Sequence, residues 1–256
     1  MKKTQSGKYY HERFNKTLQF IVNKNKKVLF YGFFSGSTLF SLKPKKGLGI
    51  EDDSDYVKFA KKKYSKLNFV YSDFDKYTPK EKFDYVILAG TIGRSKDIGQ
   101  LLKSVREACH PGTRVIIYQH NFLWQSALQL LEKLGLKRKE GIQNWLSVPD
   151  IKSYLESSGF ETTRMFRRTL IPAKIWVLGP LFNTMAAISP LVDFLKLDQF
   201  IIARPKPQLT VRHQKSLTIC LTVRNEKGNI EKIVKSLPKI CKDQEILFVE
   251  GHSKDG

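Results

Sequence analysis

The sequence predicts an α/β fold with a doubly wound, mainly parallel sheet. Short apolar runs, such as those at 28–31 and 85–88, alternate with segments whose apolar residues have helical spacing. Strands that alternate with helices form β-α-β units, and these units build parallel sheets. Polar residues follow several of the apolar runs. Ligands bind at the carboxyl ends of the strands in a parallel sheet, so these polar residues are candidates for a binding site.

Five strands and three helices are predicted in order along the first half of the chain. The first helix covers 9–24, with Tyr10, Phe14, Leu18 and Ile21 on one face, and the first strand follows it. A second strand ends in acids at 51–53, and Asp53 or Ser54 can cap a helix whose apolar positions are Tyr56, Phe59, Ala60 and Tyr64.

The remaining predicted elements continue the same alternation. A third strand ends at Asp73 and a fourth contains the buried run at 85–88. A helix with Asp97 near its start ends at His110-Pro111-Gly112, because proline and glycine usually interrupt helices. A fifth strand runs over 113–121. His110 is then expected in a turn, and His120 is expected in a surface loop or, as the alternative, facing the site as a base.

Composition supports a folded protein with few cysteines. The 256 residues are 41% hydrophobic and 12% aromatic, which is enough for a core. The three cysteines are far apart, which excludes a cysteine-only zinc site and makes a disulfide framework unexpected. The basic first residues lack a following apolar run, so no signal peptide is expected. We therefore expect a cytoplasmic protein, with no metal site.

The charge points to an anionic partner or to a solvated basic surface. Lysine and arginine total 45 against 24 acidic residues, a net charge of +21. The lysines are scattered, and ordinary solvated surface explains them equally well. Of the sharper interpretations, we favour peripheral contact with an anionic membrane surface or a phospholipid-linked substrate over nucleic acid.

An apolar stretch within 170–202 is long enough to consider as a membrane span. Prolines and a glycine interrupt it and charges bound it closely, so a buried or interfacial helical pair is favoured. The basic, proline-containing residues 206–216 are predicted to be a linker between a first domain at 1–205 and a second region at 217–256.

Three strand ends carry residues suited to a nucleoside cofactor. Gly32 and Gly36 follow the first strand, where the backbone can approach a ligand closely. Glu51 ends the second strand and can accept hydrogen bonds from ribose hydroxyls, and Asp73 can bond an adenine amino group. Each residue also has a structural alternative, which is a tight turn for the glycines and a cap for the acids.

These pieces together resemble the class I S-adenosylmethionine-dependent methyltransferases. The matching segments are VLFYGFFSG, GLGIEDDSDYVKFAKKKY, VYSDF, FDYVILAGTIG and LLKSVREACHPGTRVIIYQHN, followed by SVPDIKSYLESSGFETTRMFRRTLIP. The resemblance implies a Rossmann-like sheet and S-adenosyl-L-methionine as the cofactor. It does not identify the acceptor, which we expect to be a small molecule, sugar or glycan intermediate only by association with the region that follows. It implies no particular catalytic residue. The implied cofactor-binding residues are Gly32, Ser35, Gly36, Glu51, Asp52, Asp73, Phe74 and Gly90.

The glycine loop departs from the pattern of that family at two positions. Phe30 stands where an acid is usual, and Phe34 replaces the middle glycine. These changes favour an alternative in which the first domain is a cofactor-free scaffold. The spacing G-x-x-x-G also differs from the dinucleotide fingerprint, so NAD is not expected.

The last forty residues resemble the opening of a family 2 glycosyltransferase. R-N-E-x-x-N-I after one strand and V-E-G-H-S-K-D-G after the next carry the resemblance. It implies a GT-A-like domain that begins here and a partial nucleotide-sugar site at Asn225, Glu226, Glu250 and Asp255. Even with the linker, about fifty residues cannot bury a full core of that type, so we expect a fragment of a longer two-domain protein. The alternative is a β-α-β appendage that packs on the first domain.

Overall fold

The computed structural model describes residues 5–33, 35–135, 144–171, 183, 190–207 and 212–255. Contacts divide the chain into two compact units, Met1–Lys206 and Pro207–Gly256. The prediction of a helical pair in the apolar stretch falls mostly on residues outside these ranges. Among the described residues, none belongs to a helix that is both long and apolar enough to cross a membrane.

The first unit contains a seven-stranded sheet in the order β3-β2-β1-β4-β5-β7-β6. Strands β1 to β5 pair in parallel, and β7 is antiparallel to both β5 and β6. This confirms the predicted doubly wound, mainly parallel sheet. The strands are β1 (Lys27–Tyr31), β2 (Lys46–Glu51), β3 (Asn68–Tyr71), β4 (Phe83–Ala89), β5 (Cys109–His120), β6 (Phe160–Arg168) and β7 (Asp198–Pro205).

Helices cover both faces of the sheet. They are α1 (Gln5–Ile21), α2 (Ser37–Ser41), α3 (Ser54–Lys63), α4 (Thr91–Arg94), α5 (Ile98–Glu107), α6 (Gln125–Lys133) and α7 (Val148–Ser157). Short 3₁₀ helices lie at Phe122–Trp124 and Pro190–Leu195. The Asp53 carboxylate caps α3, and the Asp97 carboxylate accepts from the Gln100 N–H at 2.9 Å at the start of α5. Both acids act as caps, as their positions before the helices predicted.

Alternate residues of the central strands enter two separate cores. Val28 and Phe30 of β1 pack with α1, α2 and α3, whereas Leu29 and Tyr31 pack on the face covered by α5 and α7. Side chains of a strand point alternately to opposite faces, so a strand buried on both faces is apolar throughout. This arrangement explains the unbroken apolar runs.

Three predicted boundaries or burial patterns are wrong. In α3 the buried residues are Val57 and Ala60, while Phe59 is exposed. His110-Pro111-Gly112 lies within β5 beside an irregularity in its pairing with β4, rather than ending a helix. A bulge tolerates residues that ordinary strand pairing excludes.

The third error concerns the linker. A strand β8 (Arg212–Val223) begins five residues before the predicted start at 217, so the predicted linker 206–216 contains extended strand. β8 pairs in parallel with β9 (Cys241–Glu250), and α8 (Lys227–Ser236) connects them. This second unit is therefore a single β-α-β element within its described residues. Leu247 and Val249 are exposed on it. A single β-α-β element does not distinguish a GT-A-like domain from other α/β folds.

Candidate active site

The carboxyl ends of β1, β2 and β3 lie side by side. The Gly32 N–H donates to the Ile50 carbonyl oxygen at 3.0 Å, and the Ser72 N–H donates to the Glu51 carbonyl oxygen at 3.0 Å. These bonds extend the parallel ladders by one residue past the strands. Gly32, Glu51 and the segment leading to Asp73 therefore follow neighbouring strands at one rim, as the sequence predicted.

Gly32 and Gly36 both have a positive φ of 74°, which favours glycine. A Cβ at Gly32 would collide with the carbonyl oxygen of Ala89 and lie 3.0 Å from the Thr91 Oγ1. A Cβ at Gly36 would lie 3.0 Å from the Phe69 ring. Both glycines thus have a structural requirement independent of any ligand. Ser35 lies between them, and its Oγ is 2.9 Å from the Ser37 Oγ.

Glu51 is fully buried and is held by an arginine that sequence reasoning missed. Arg94, at the end of α4, donates from Nη2 to the Glu51 Oε1 at 2.8 Å and also pairs with the Asp52 carboxylate. Its guanidinium lies 4.9 Å from the centre of the Phe74 ring. Nothing in the sequence signals this long-range pairing, because Arg94 follows Glu51 by 43 residues.

Asp73 and Phe74 occupy different environments in the turn after β3. The Asp73 carboxylate is about half exposed and pairs with Lys76 at 3.0 Å; the hydrogen bond from Lys76 lowers the pKa of Asp73. Phe74 is buried and lies 6.3 Å from the Tyr31 ring. Phe74 therefore belongs to the core as well as to the rim.

Gly90 directly precedes α4 as its N-cap residue and has a φ of 65°, and a Cβ there would meet no atom within 4 Å. The rim beside the end of β4 is thus open at this residue. Phe30, in contrast, is buried among the α1, α2 and α3 side chains of the core. It supplies apolar packing at a position where the class I methyltransferases that the chain resembles usually have an acid. Phe34 lies outside the described residues.

A second polar cluster lies at the same rim, beyond β4. The Tyr10 hydroxyl of α1 contacts the Tyr118 hydroxyl and the Asp198 carboxylate, and it lies 3.1 Å from the His120 Nε2. The Tyr118 hydroxyl donates to the Asp198 Oδ1 at 2.9 Å. His120 and Asp198 are register partners at the end of β5 and the start of β7.

This cluster corrects the expectation that His120 lies in a surface loop. His120 is the last residue of β5 and is partly buried. Burial raises the pKa of Asp198, although the charge of His120 and the hydrogen bonds from Tyr10, Thr169 and Tyr118 oppose the shift. Burial and the charge of Asp198 also raise the pKa of Tyr10, so the Tyr10 hydroxyl keeps its proton at neutral pH.

The second unit brings its four predicted residues to one edge. The Lys254 N–H donates to the Asn225 Oδ1 and the Lys227 N–H to the Asp255 Oδ2, each at 2.9 Å. The Glu250 carboxylate accepts from the His252 N–H at 2.9 Å and from the Ser253 N–H. Hydrogen bonds from Ser253 lower the pKa of Glu250. Glu226 lies in the same turn as Asn225 and accepts from the Asn229 side chain at 2.6 Å.

These bonds show that the turns after β8 and β9 are fastened to each other. No group of three or more histidine, cysteine or acidic residues in the described part of the chain could hold a metal ion.

The fold and the rim geometry define an α/β protein of the methyltransferase type. Residues 10–164, more than half of the chain, match the family of methyltransferase domains. The chain therefore belongs to this family, whose membership implies S-adenosylmethionine as the methyl donor.

Solved structures show the same fold at low sequence identity. A Pyrococcus horikoshii protein is 17% identical with a TM-score of 0.56, and the match covers 79% of this chain and 92% of that one. An S-adenosylmethionine-dependent methyltransferase of Mesorhizobium loti is 15% identical with a TM-score of 0.56, covering 76% and 97%.

The magnesium protoporphyrin IX methyltransferase of Synechocystis, solved with bound S-adenosylhomocysteine, is 14% identical with a TM-score of 0.55 and coverages of 80% and 89%. A search of the curated proteins finds no match.

Proposed function

We propose that this protein transfers a methyl group from S-adenosylmethionine bound at the rim formed by β1, β2 and β4. The observation that carries the proposal is the buried carboxylate of Glu51, at the end of β2 and next to Gly32. A buried carboxylate requires partners, and it offers about four lone-pair sites. Arg94 and the Asp52 N–H hold Glu51 in place at the rim, and in this proposal its carboxylate accepts from the ribose hydroxyls.

The other rim residues fit a nucleoside cofactor in shape. Gly32 brings backbone to the rim, and the open side of Gly90 leaves room beside it. In this proposal Ser35 and Gly36 line the methionine side, Asp52 supports the ribose, and Asp73 and Phe74 contact the adenine. When bound, the cofactor supplies an activated methyl group, and the chain contributes positioning and exclusion of water.

The Glu51→Gln variant tests this site. The neutral amide bonds ribose hydroxyls more weakly, and we expect the binding free energy of S-adenosylhomocysteine to weaken by about 1.5–3 kcal/mol. Isothermal calorimetry measures it, with thermal unfolding as a check on folding. The control is Glu156→Gln on the exposed side of α7.

Equal affinity of the Glu51 variant and the parent would remove Glu51 from the site. A parent protein that does not bind S-adenosylhomocysteine would instead favour the cofactor-free scaffold. Phe30 is consistent with that alternative, because the usual acid is replaced by a side chain that belongs to the core.

The His120 cluster is the candidate for handling the acceptor proton. A hydroxyl or amine acceptor loses a proton as it is methylated, and a histidine with a neighbouring carboxylate can receive one. The bonded group of Tyr10, Tyr118 and Asp198 orients this part of the rim. In this proposal Asp198 and the tyrosines act as positioning residues, and His120 is the base.

His120→Gln should lower methyl transfer by roughly 100-fold or more while leaving S-adenosylhomocysteine affinity unchanged. Transfer of a labelled methyl group to a panel of sugars, glycans and small hydroxyl compounds measures it. His110→Gln is the matched control, because His110 lies near the opposite end of the same strand. Similar losses in both variants would show that His120 has only a structural role.

The acceptor is proposed to be a small molecule, sugar or glycan intermediate. The support is the second unit, where Asn225, Glu226, Glu250 and Asp255 meet at the carboxyl ends of two parallel strands. In this proposal the unit is the start of a nucleotide-sugar site of glycosyltransferase type. Calorimetric titration with uridine and guanosine diphosphates tests it, with Glu250→Ala as the variant; absence of binding by the parent would count against it.

A further inference from the structure

A basic cavity lies at the far end of the sheet rim from β1. Its volume is about 220 Å³, and its charged lining is Arg13, Arg164, Arg167, Arg168, Lys196 and Asp193. Arg168 is the last residue of β6 and pairs in register with Asp198. The cavity therefore lies at the same rim as the His120 cluster, on strands that the cofactor proposal does not use.

The ratio of basic to acidic residues is higher in this lining than in the whole chain. The whole sequence has 45 basic and 24 acidic residues, whereas the cavity has five and one. Asp193 is already engaged, by Arg167 at 3.0 Å and by Lys196 at 2.9 Å. Crowding like charges is unfavourable unless a counter-charge binds.

The arginines also present unused hydrogen-bond donors. The Nε atoms of Arg13 and Arg167 are buried and have no hydrogen-bond partner within the described portion of the chain. Buried donors are nearly always paired in folded proteins, because leaving one unpaired is unfavourable. A ligand with several acceptor oxygens would satisfy both.

The guanidinium groups are held in place by neighbouring side chains. Arg164 and Arg168 lie 5.4 and 5.6 Å from the centre of the Phe166 ring, which in turn stacks on Phe200. Lys196 is nearly buried. Less side-chain freedom is then lost when an anion binds.

We propose that this cavity is a binding site for a phosphate or diphosphate group of a phosphorylated ligand. A phosphate group carries about 1.5 to 2 negative charges at neutral pH and several strong acceptor oxygens. Arginine forks match phosphate oxygens in a bidentate manner. The proposal does not rest on cofactor binding, because none of the lining residues belongs to the cofactor rim.

An adjoining depression of about 290 Å³ shares Arg13, Arg168 and Thr169 with the cavity. Phe20 lines this depression and is 79% exposed. The group attached to the phosphate would therefore extend over both basic and apolar surface. A lipid headgroup and a soluble phosphorylated molecule are two sources of the same chemistry.

The first experiment is calorimetric titration with inorganic pyrophosphate at fixed ionic strength. We expect binding by the parent, and an affinity at least about tenfold weaker in Arg164→Gln/Arg168→Gln, because two charge-assisted bonds are lost. Both arginines are exposed, so the variant should fold, as circular dichroism can verify. Arg13→Gln provides a second variant on another element.

The matched control is Lys61→Gln/Lys62→Gln, which removes two exposed charges from α3. Its affinity for pyrophosphate should equal that of the parent. No binding by the parent, or equal weakening in the arginine and lysine variants, would overturn the proposal.

Vesicles distinguish the two sources of phosphate. Sedimentation with phosphatidylcholine vesicles, with and without phosphatidic acid, compares the same variants at a salt concentration that screens non-specific attraction. A lipid source predicts that phosphatidic acid increases binding by the parent and by the lysine variant, and that the arginine variant loses this increase. A soluble source predicts pyrophosphate binding with no difference between the variants on vesicles.

Discussion

Glycine is required at residue 32 by contact and at residue 90 by backbone angle alone. Both residues have positive φ, of 74° and 65°. A Cβ at Gly32 would collide with the Ala89 carbonyl oxygen of the neighbouring strand, whereas a Cβ at Gly90 would meet nothing. Alanine substitutions at these two residues therefore distinguish the cost of a left-handed backbone, which both share, from the cost of steric overlap, which only residue 32 has.

Gly90→Ala should lower the free energy of unfolding by about 1–2 kcal/mol, the cost of the left-handed conformation. Gly32→Ala should cost about 1–3 kcal/mol more, because backbone atoms cannot move aside as a flexible side chain can. Urea denaturation followed by circular dichroism measures both. Equal destabilisation would show that the ends of β1 and β4 separate easily.

At the scale of elements, α7 shows how one local motif fixes a helix against the sheet. The Ser147 Oγ accepts from the Asp150 N–H at 3.4 Å, and the Asp150 Oδ2 accepts from the Ser147 N–H at 2.9 Å. This reciprocal capping box satisfies donors at the start of the helix. Ile151 and Leu155 of α7 are fully buried in the core that contains β4 and β5.

Ser147→Ala should destabilise the protein by about 0.5–2 kcal/mol, the usual cost of losing an N-cap. Ser153→Ala is the matched control, because Ser153 is an exposed residue in the middle of the same helix. It should be neutral or slightly stabilising, since alanine is the better helix former. Thermal unfolding compares the two. A larger loss in the Ser153 variant would contradict this account of α7.

At the scale of the whole molecule, the net charge of +21 governs contact with anionic surfaces. Surface lysines such as Lys61, Lys62 and Lys63 are exposed on α3. Interactions between exposed charges are screened within about 10 Å at 0.1 M salt. Non-specific attraction of this kind should therefore be strongly salt-dependent.

We expect the protein to sediment with anionic phospholipid vesicles at low salt and to be released as salt is raised. Vesicles of phosphatidylcholine alone are the control and should bind little. Retention of the Arg164→Gln/Arg168→Gln variant on anionic vesicles after a high-salt wash would show that an apolar segment inserts, contrary to this expectation.

The sequence by itself predicted a mainly parallel sheet and the succession of its first five strands along the chain. A strand buried on both faces must be apolar throughout, so the runs that contain Val28 and Val86 were visible without a structure. The rim residues Gly32, Glu51 and Asp73 were predictable for the same local reason, because they directly follow such runs. Their role in cofactor binding stays a prediction.

Only the tertiary structure decided which distant side chains meet. Arg94 reaches Glu51, and Tyr10 of α1 reaches Asp198 of β7, through contacts between residues far apart in the sequence. Antiparallel β7 pairs with β5 and brings Asp198 beside His120. The basic cavity collects arginines from α1 and β6, which are also far apart in the sequence. Local sequence patterns indicate which face of a helix or strand is buried. Which side chains contact each other depends on how the elements pack together in space.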